Sequence, residues 1–350
     1  MRLRFSGCSC CRPPTGMITR RAVLAGGAAL LAATATIGRA QIAAKPFRVD
    51  VHHHYIPPFH ADALAVQRQQ GRPPQWSVSQ SLAEMDQNGI ATAIVSLVQP
   101  GVWWNNPEEA AKLARECNEF GARMVADYPG RFGFWAALPL PDTDASLREI
   151  AYAFDVLKAD GIGLFTSYGD KYLGDPSFLP VFEELHRRKA IVFVHPLVPN
   201  CCRGLVQSVP APTLEFVQDT SRAIGGLLFS GTAARCPDVR MIWSHSGGTM
   251  PFVVSRFIRL AEERKNAFMP DGPIPELAKF RYEIAQGHMP GQLDALLRII
   301  PLHQVLFGTD FPFRPGADSV VGLAGYKFSA ADLRAIERDN AVSLLPRLRG

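Results

Sequence analysis

Five residues scattered along the chain, His52, His54, His195, His245 and Asp310, have side chains that can bind a metal or carry a proton at neutral pH. The first two lie in Asp50-Val51-His52-His53-His54. Side chains alternate faces along a strand, so His52 and His54 project together and His53 points the other way. Two imidazoles leaving one strand end can hold a single metal ion, while His53 packs among helices or meets solvent. His195 ends the apolar run Ile191-Val192-Phe193-Val194 and precedes Pro196. His245 ends Met241-Ile242-Trp243-Ser244, and Asp310 ends Val305-Leu306-Phe307-Gly308-Thr309. Each of these three, taken singly, also reads as a satisfied polar residue at a strand exit. Together they put metal-binding and proton-carrying groups at the ends of four separate strands. His60, His186, His288 and His303 have no comparable context and read as ordinary.

Eight short β-branched or aromatic runs are positioned to carry these groups, each followed by a helical pattern. The expected strands are 47–54, 91–98, 132–138, 161–167, 190–195, 239–245, 280–285 and 304–309. Helices are expected near 107–127, 142–159, 177–189, 213–235, 251–266, 290–299 and 329–344. Asn106 caps the first of them and Pro107 occupies its first helical position. This alternation predicts an α/β fold, a (β/α)8 TIM barrel over one domain, residues 46–350. An open doubly wound sheet competes, but the first strand is not followed by a glycine-rich phosphate loop. In a barrel, function gathers at the C-terminal ends of the strands, where His52, His54, His195, His245 and Asp310 fall.

The combination Asp50-x-His52-x-His54-x-x-Pro57, Val194-His195-Pro196, His245-x-Gly247-Gly248-x-x-Pro251 and Gly308-Thr309-Asp310-Phe311-Pro312-Phe313 resembles the amidohydrolase superfamily. Within it, the chain is similar to the branch related to aminocarboxymuconate semialdehyde decarboxylase, from Val49 to about Arg314. The resemblance implies that His52, His54, His195 and Asp310 hold one divalent metal and that His245 is a catalytic group beside it. Two-metal members carry a bridging lysine at the end of strand four; here that strand ends Phe165-Thr166-Ser167, which implies a mononuclear site. Three imidazoles and a carboxylate form a borderline nitrogen–oxygen set, expected to take zinc, with manganese as the alternative.

The resemblance further implies non-oxidative decarboxylation of a small aromatic or dienoic acid, for example a hydroxybenzoate such as 6-methylsalicylate. Asp310 and His245 would handle the proton that replaces CO2. Arg203, eight residues beyond His195, is the preferred partner for a substrate carboxylate, with Trp103 and Phe311 as aromatic walls. Arg314, Lys171, Tyr168, Trp104 and Phe313 are weaker candidates of the same kind. A metal-dependent hydrolase of an amide, lactone or C–C bond is the rival enzyme, and an exported binding protein the rival outside catalysis. Retention of both His245 and Asp310 disfavours binding alone. The branch also implies a homodimer or higher homo-oligomer.

Charge separates a leader from this body. The chain has 350 residues, a formal charge of +5 and seven cysteines. Residues 1–40 contain six arginines and no acid; the rest holds 31 basic and 32 acidic residues, a formal charge of −1. The body therefore offers no electrostatic case for nucleic acid or a membrane surface. Arg20-Arg21, the apolar run Ala22–Ile37 and Gly38-Arg39-Ala40 are expected to form a twin-arginine signal for periplasmic export, with no stable membrane anchor. Met17 would begin a signal of ordinary length and is expected to be the initiator. Cys201 and Cys202 are expected to be reduced, because adjacent residues suit neither one metal nor an unstrained disulfide.

Overall fold

The computed structural model describes residues 46–67 and 73–349; the expected leader and Met17 lie outside them. Eight strands form one parallel sheet in sequence order: β1 (Arg48–Tyr55), β2 (Ile90–Leu97), β3 (Phe132–Ala137), β4 (Gly161–Phe165), β5 (Ile191–His195), β6 (Arg240–Trp243), β7 (Arg281–Glu283) and β8 (Val305–Leu306). The sheet closes where the segment after β8 meets β1. Val51 N–H donates to Phe307 O at 3.0 Å, Asp310 N–H to His52 O at 2.8 Å, and His54 N–H to Phe311 O at 2.7 Å. The architecture is the expected (β/α)8 barrel.

All eight strands lie where expected, though β4, β6, β7 and β8 are each shorter by two residues or more. Between β1 and β2 run α1 (Pro58–Gln67) and α2 (Val78–Gln87), neither of which was expected. The outer layer continues with α3 (Pro107–Asp127), α4 (Thr143–Asp155), α5 (Leu179–Arg187), α6 (Ala211–Phe229), α7 (Met250–Arg264), α8 (Pro290–Leu297) and α9 (Gly316–Ala324), the last also unexpected. Asn106 Oδ1 accepts from Glu109 N–H at 3.3 Å, and Glu108 and Glu109 meet the positive end of α3. Asp142 Oδ1 caps α4 in the same way, accepting from Ala145 N–H at 2.9 Å. The helix expected over 213–235 breaks at Gly231, whose φ of +79° is the left-handed conformation that ends helices.

Two hydrophobic clusters support the barrel. The larger lies between sheet and helices; it includes Phe132, Phe134, Leu164, Ile224 and Tyr282. The smaller contains Val49, Val51, Trp135, Ile191, Phe193 and Ile242, together with Ala341, Leu344, Leu345 and Leu348 from the C-terminal segment. In β1 and β5 these residues precede His52, His54 and His195, so the packed interior lies beneath those side chains. The pairing of β1 with β2 shifts register between Asp50 and His53: Asp50 stands opposite Ala93 and His53 opposite Val95. This bulge puts an extra residue into β1 and re-aims it. Val51 thus packs into the smaller cluster while its neighbour His52 enters the site, and His54 still shares its face.

Candidate active site

Four buried side chains converge at the C-terminal ends of the strands. His52, His54, His195 and Asp310 each offer one ligand atom, and those atoms all lie within 4.8 Å of one another. His52 Nε2 and His54 Nε2 are 3.1 Å apart, and Asp310 Oδ1 lies 3.2 Å from the first and 3.0 Å from the second. The opposite edge of each imidazole is tied to the scaffold. His52 Nδ1 meets Glu283 Oε1 at 2.8 Å, and His54 Nδ1 meets Ser96 O at 3.3 Å. His195 Nδ1 meets Pro196 O at 2.8 Å. Each of these partners accepts a hydrogen bond, which places N–H on Nδ1 and aims the Nε2 lone pair at the common centre. Such a set fits one cation, since the lone pairs of His52 and His54 otherwise face each other.

The electrostatics point the same way. Burial disfavours a charged His52, yet the Glu283 and Asp310 carboxylates outweigh it and raise its pKa to about 10. Burial also works against the Asp310 carboxylate, but His52 and the surrounding imidazoles hold it well below the usual range. Burial together with neighbouring imidazoles keeps His195 neutral far below its ordinary range, and burial lowers His54 as well. The centre thus attracts positive charge while two of its three imidazoles stay neutral, which is the state a metal requires of its ligands.

Glu283, on β7, is the structural residue that sequence reading missed. It is fully buried; its Oε1 accepts from His52 Nδ1–H and from His245 N–H at 2.6 Å, and its Oε2 from Ala285 N–H at 2.6 Å. Gly308 makes room for it, because a Cβ there would stand 2.1 Å from Glu283 Oε2. Its signal was present: alternation with the core residue Tyr282 sends Glu283 into the barrel, where a lone acid needs partners. Asp50 serves the closure. Its Oδ1 accepts from His52 N–H at 3.0 Å and Thr309 N–H at 3.1 Å, and its Oδ2 from the Thr309 hydroxyl at 2.6 Å. His53 turns outward between Asp50 and Ser81 Oγ, which lies 3.0 Å from its Nε2.

His245 stands beside the ligand cluster, its Nε2 3.6 Å from Asp310 Oδ2. The chain turns sharply there, with His245 at φ +52°, Ser246 at +56°, Gly247 at +74° and Gly248 at +64°. A Cβ on Gly248 would lie 2.1 Å from Val217 O, so this turn admits only glycine. Asp310 is also left-handed, at φ +65°. Non-glycine residues cost about 1 kcal/mol or more there, and such positions cluster at functional sites.

A cavity of about 720 Å³ opens above the cluster. His195, His245 and Asp310 form its floor, Leu64, Val98, Val198, Phe216 and Phe313 give apolar wall, and Arg203, Gln286 and Arg314 are among its polar lining. Arg203 is therefore where the sequence expected it. Trp103 and Phe311 are not among the lining residues. Gly101, at φ +81° with its N–H on Val98 O, turns the chain after β2 so that Trp103 packs on the main core. Phe311 pairs with His53 across the barrel closure, and their rings stack at 4.9 Å, so Phe313 lines the cavity instead. Lys171 is occupied at Ser177 and Asp175, and Tyr168 is buried with its hydroxyl on Phe165 N–H. Cys117, Cys201, Cys202 and Cys236 are free thiols, Cys201 exposed and Cys202 buried. Among the described residues, no helix is long and apolar enough to cross a membrane.

Comparison with known proteins agrees with this geometry. The amidohydrolase family model matches residues 49–347. The decarboxylase yanB of Aspergillus niger is 36% identical over 326 residues, covering 86% of this chain and 88% of that protein. A 6-methylsalicylic acid decarboxylase of Penicillium expansum is 35% identical over 318 residues, covering 87% and 97%. The crystal structure of an amidohydrolase II superposes with a TM-score of 0.81 at 27% identity, covering 85% of this chain and 99% of that one. With its barrel, its histidine–aspartate cluster and these relatives, the chain belongs to the amidohydrolase family, in the branch of metal-dependent decarboxylases.

Proposed function

We propose that this enzyme removes CO2 from a hydroxybenzoate of the 6-methylsalicylate type without an oxidant. The observation that carries the reading is the pairing of a four-donor cation seat with the His245–Asp310 couple at the floor of a largely apolar cavity. Likeness to the Penicillium expansum decarboxylase supports the substrate class. His52, His54, His195 and Asp310 would hold one divalent ion, zinc on the nitrogen-rich donor set, which supplies a Lewis acid for the carboxylate and the neighbouring hydroxyl.

The reaction breaks the ring–carboxyl bond and leaves its electron pair on the ring carbon, which must gain one proton. His245 and Asp310 Oδ2 are the groups placed to deliver it. Phe216 and Phe313 flank a flat ring, while Arg203 and Arg314 bring positive charge to an anionic substrate. Their N–H groups bind oxygen, and the apolar wall accepts an alkyl substituent.

Incubating the zinc-loaded protein with salicylate, 6-methylsalicylate and dihydroxybenzoates, and following CO2 release, tests the proposal. Release from at least one hydroxybenzoate is expected; inertness to all, with hydrolysis of lactones, would overturn it in favour of a hydrolase. Metal analysis of the protein as purified separates zinc from manganese, the metal recorded in two structural neighbours, a dihydroxybenzoic acid decarboxylase and a 5-carboxyvanillate decarboxylase. Export through the Arg20-Arg21 leader belongs to the same proposal, and cell fractionation with N-terminal sequencing of the mature protein checks it. Gel filtration at a dimer's mass is expected, and a clean monomer would remove the oligomer.

A further inference from the structure

The two oxygens of Asp310 have different neighbours. Oδ1 faces the Nε2 atoms of His52 and His54, at 3.2 and 3.0 Å. Oδ2 faces two cavity-lining residues: it lies 3.6 Å from His245 Nε2 and accepts from Gln286 Nε2–H at 2.5 Å. Gln286 Oε1 accepts in turn from Arg314 Nε–H at 3.3 Å. Because guanidinium only donates, this second bond fixes which end of the Gln286 amide faces Asp310. The backbone is built for the contact. Gln286 is left-handed, at φ +53°, just past β7, and a Cβ on the adjacent Gly287 would lie 2.3 Å from Ser246 Oγ. Among the described residues, Gln286, His245, Ser246 and Asp310 are all left-handed and meet at this one place.

A carboxylate with both oxygens free can grip one cation with both of them. We infer that Gln286 is a positioning residue that prevents this. By occupying Oδ2, it keeps Asp310 a one-oxygen ligand and reserves the other oxygen for His245 and the substrate. The inference rests on the metal-dependent reading above. Without the Gln286 amide, Asp310 would be free to turn Oδ2 toward the cation that the cluster would hold, and that oxygen would be lost to proton handling.

The test compares Gln286→Leu, similar in size but without a donor, with Arg314→Ala, which removes the outer anchor together with one of the guanidinium groups lining the cavity. Gln286→Met replaces the leucine variant if that one does not fold, as judged by thermal midpoint. Each protein is loaded with cobalt and its visible absorption recorded, then loaded with zinc for kcat and KM on 6-methylsalicylate. For Gln286→Leu, the visible band should weaken as coordination rises, at wild-type metal content. Its kcat should fall about 10²-fold with KM changed only a few-fold. Arg314→Ala should keep the wild-type band and mainly raise KM. A wild-type band in Gln286→Leu, or equal kcat losses in the two variants, would overturn the inference. The spectra stand alone: if wild-type protein decarboxylates no hydroxybenzoate, the substrate reading fails while the band still decides the role of Gln286.

Discussion

Replacing Glu283 by Gln keeps the side chain's shape and removes its charge. All three neighbours of this carboxylate are donors: His52 Nδ1–H at 2.8 Å, His245 N–H at 2.6 Å and Ala285 N–H at 2.6 Å. An amide has one acceptor end, so its NH2 must confront a donor in either orientation. The less damaging choice keeps oxygen on His52 and His245 and opposes NH2 to Ala285 N–H. The His52 bond then loses its charge assistance, and one buried N–H loses its acceptor, a penalty of about 1–3 kcal/mol. The Ala285 penalty is common to the apo and loaded protein, so the change in affinity comes from the weakened His52 bond, which holds the proton on Nδ1 less firmly. Zinc affinity should drop about 10- to 100-fold, as for other partners that orient metal-bound histidines. Competition against a coloured chelator at fixed pH measures this directly. Glu283→Leu, which removes every acceptor, should lose more. Zinc binding within twofold of wild type in Glu283→Gln would refute the orienting role.

Other substitutions probe the same scaffold. Gly308→Ala drives a methyl into Glu283 Oε2 and to 3.0 Å from His52 Cβ, so it should cost about 1–3 kcal/mol in denaturant unfolding and weaken zinc binding as well. Asp310→Asn should lower kcat by about 10²- to 10⁴-fold while some metal stays bound; a near-normal rate would remove Asp310 from the proton path. His60 sets an acid limit on stability. Burial, opposed only in part by its bond to Gly101 O, lowers its pKa from 6.5 to about 4. Below pH 6.5 the unfolded chain takes up a proton that the folded chain refuses until about pH 4, so stability falls with pH across that window. The loss amounts to about 3 kcal/mol, and His60→Gln should flatten it in urea titrations at pH 7 and pH 4.5. An unchanged slope would assign the acid limit to other groups.

The site was legible wherever a single residue type marked a strand exit. His195 closes β5 as read, and His52, His54, His245 and Asp310 lie within a few residues of where their strands end. Phe311 and Phe313 could not be separated by sequence, because which one faces the cavity depends on the pairing of Phe311 with His53 across the closure. Alternation with Tyr282 marked Glu283 as buried, but its role toward His52, 231 positions away, and toward His245 N–H exists only in the closed barrel. The β1 bulge was equally invisible, since the match of Asp50 to Ala93 and His53 to Val95 belongs to the neighbouring strand. Two of the three unexpected helices have a local cause. In α1, Pro-Phe-His-Ala-Asp-Ala-Leu-Ala mixes apolar and polar residues without a clear stripe, and in α9 Val320, Val321 and Gly322 are poor helix formers.

The junction of the first and last strands is also the place where the donor atoms meet. His54 and Asp310 are 256 residues apart in the chain and 3.0 Å apart in space. A cation gripping both would act as a long-range cross-link whose loop spans nearly the whole body. Because the unfolded chain holds no such seat, the ion stabilises the fold by mass action, by about 2.7 kcal/mol when free metal stands 100-fold above its Kd. A growing chain has no seat for the ion until its last strand has emerged, so loading is a late event in the life of each molecule. Removing the ion should then loosen the β8–β1 seam first, and amide hydrogen exchange at Val51, His54 and Asp310 would show it before any helix responds.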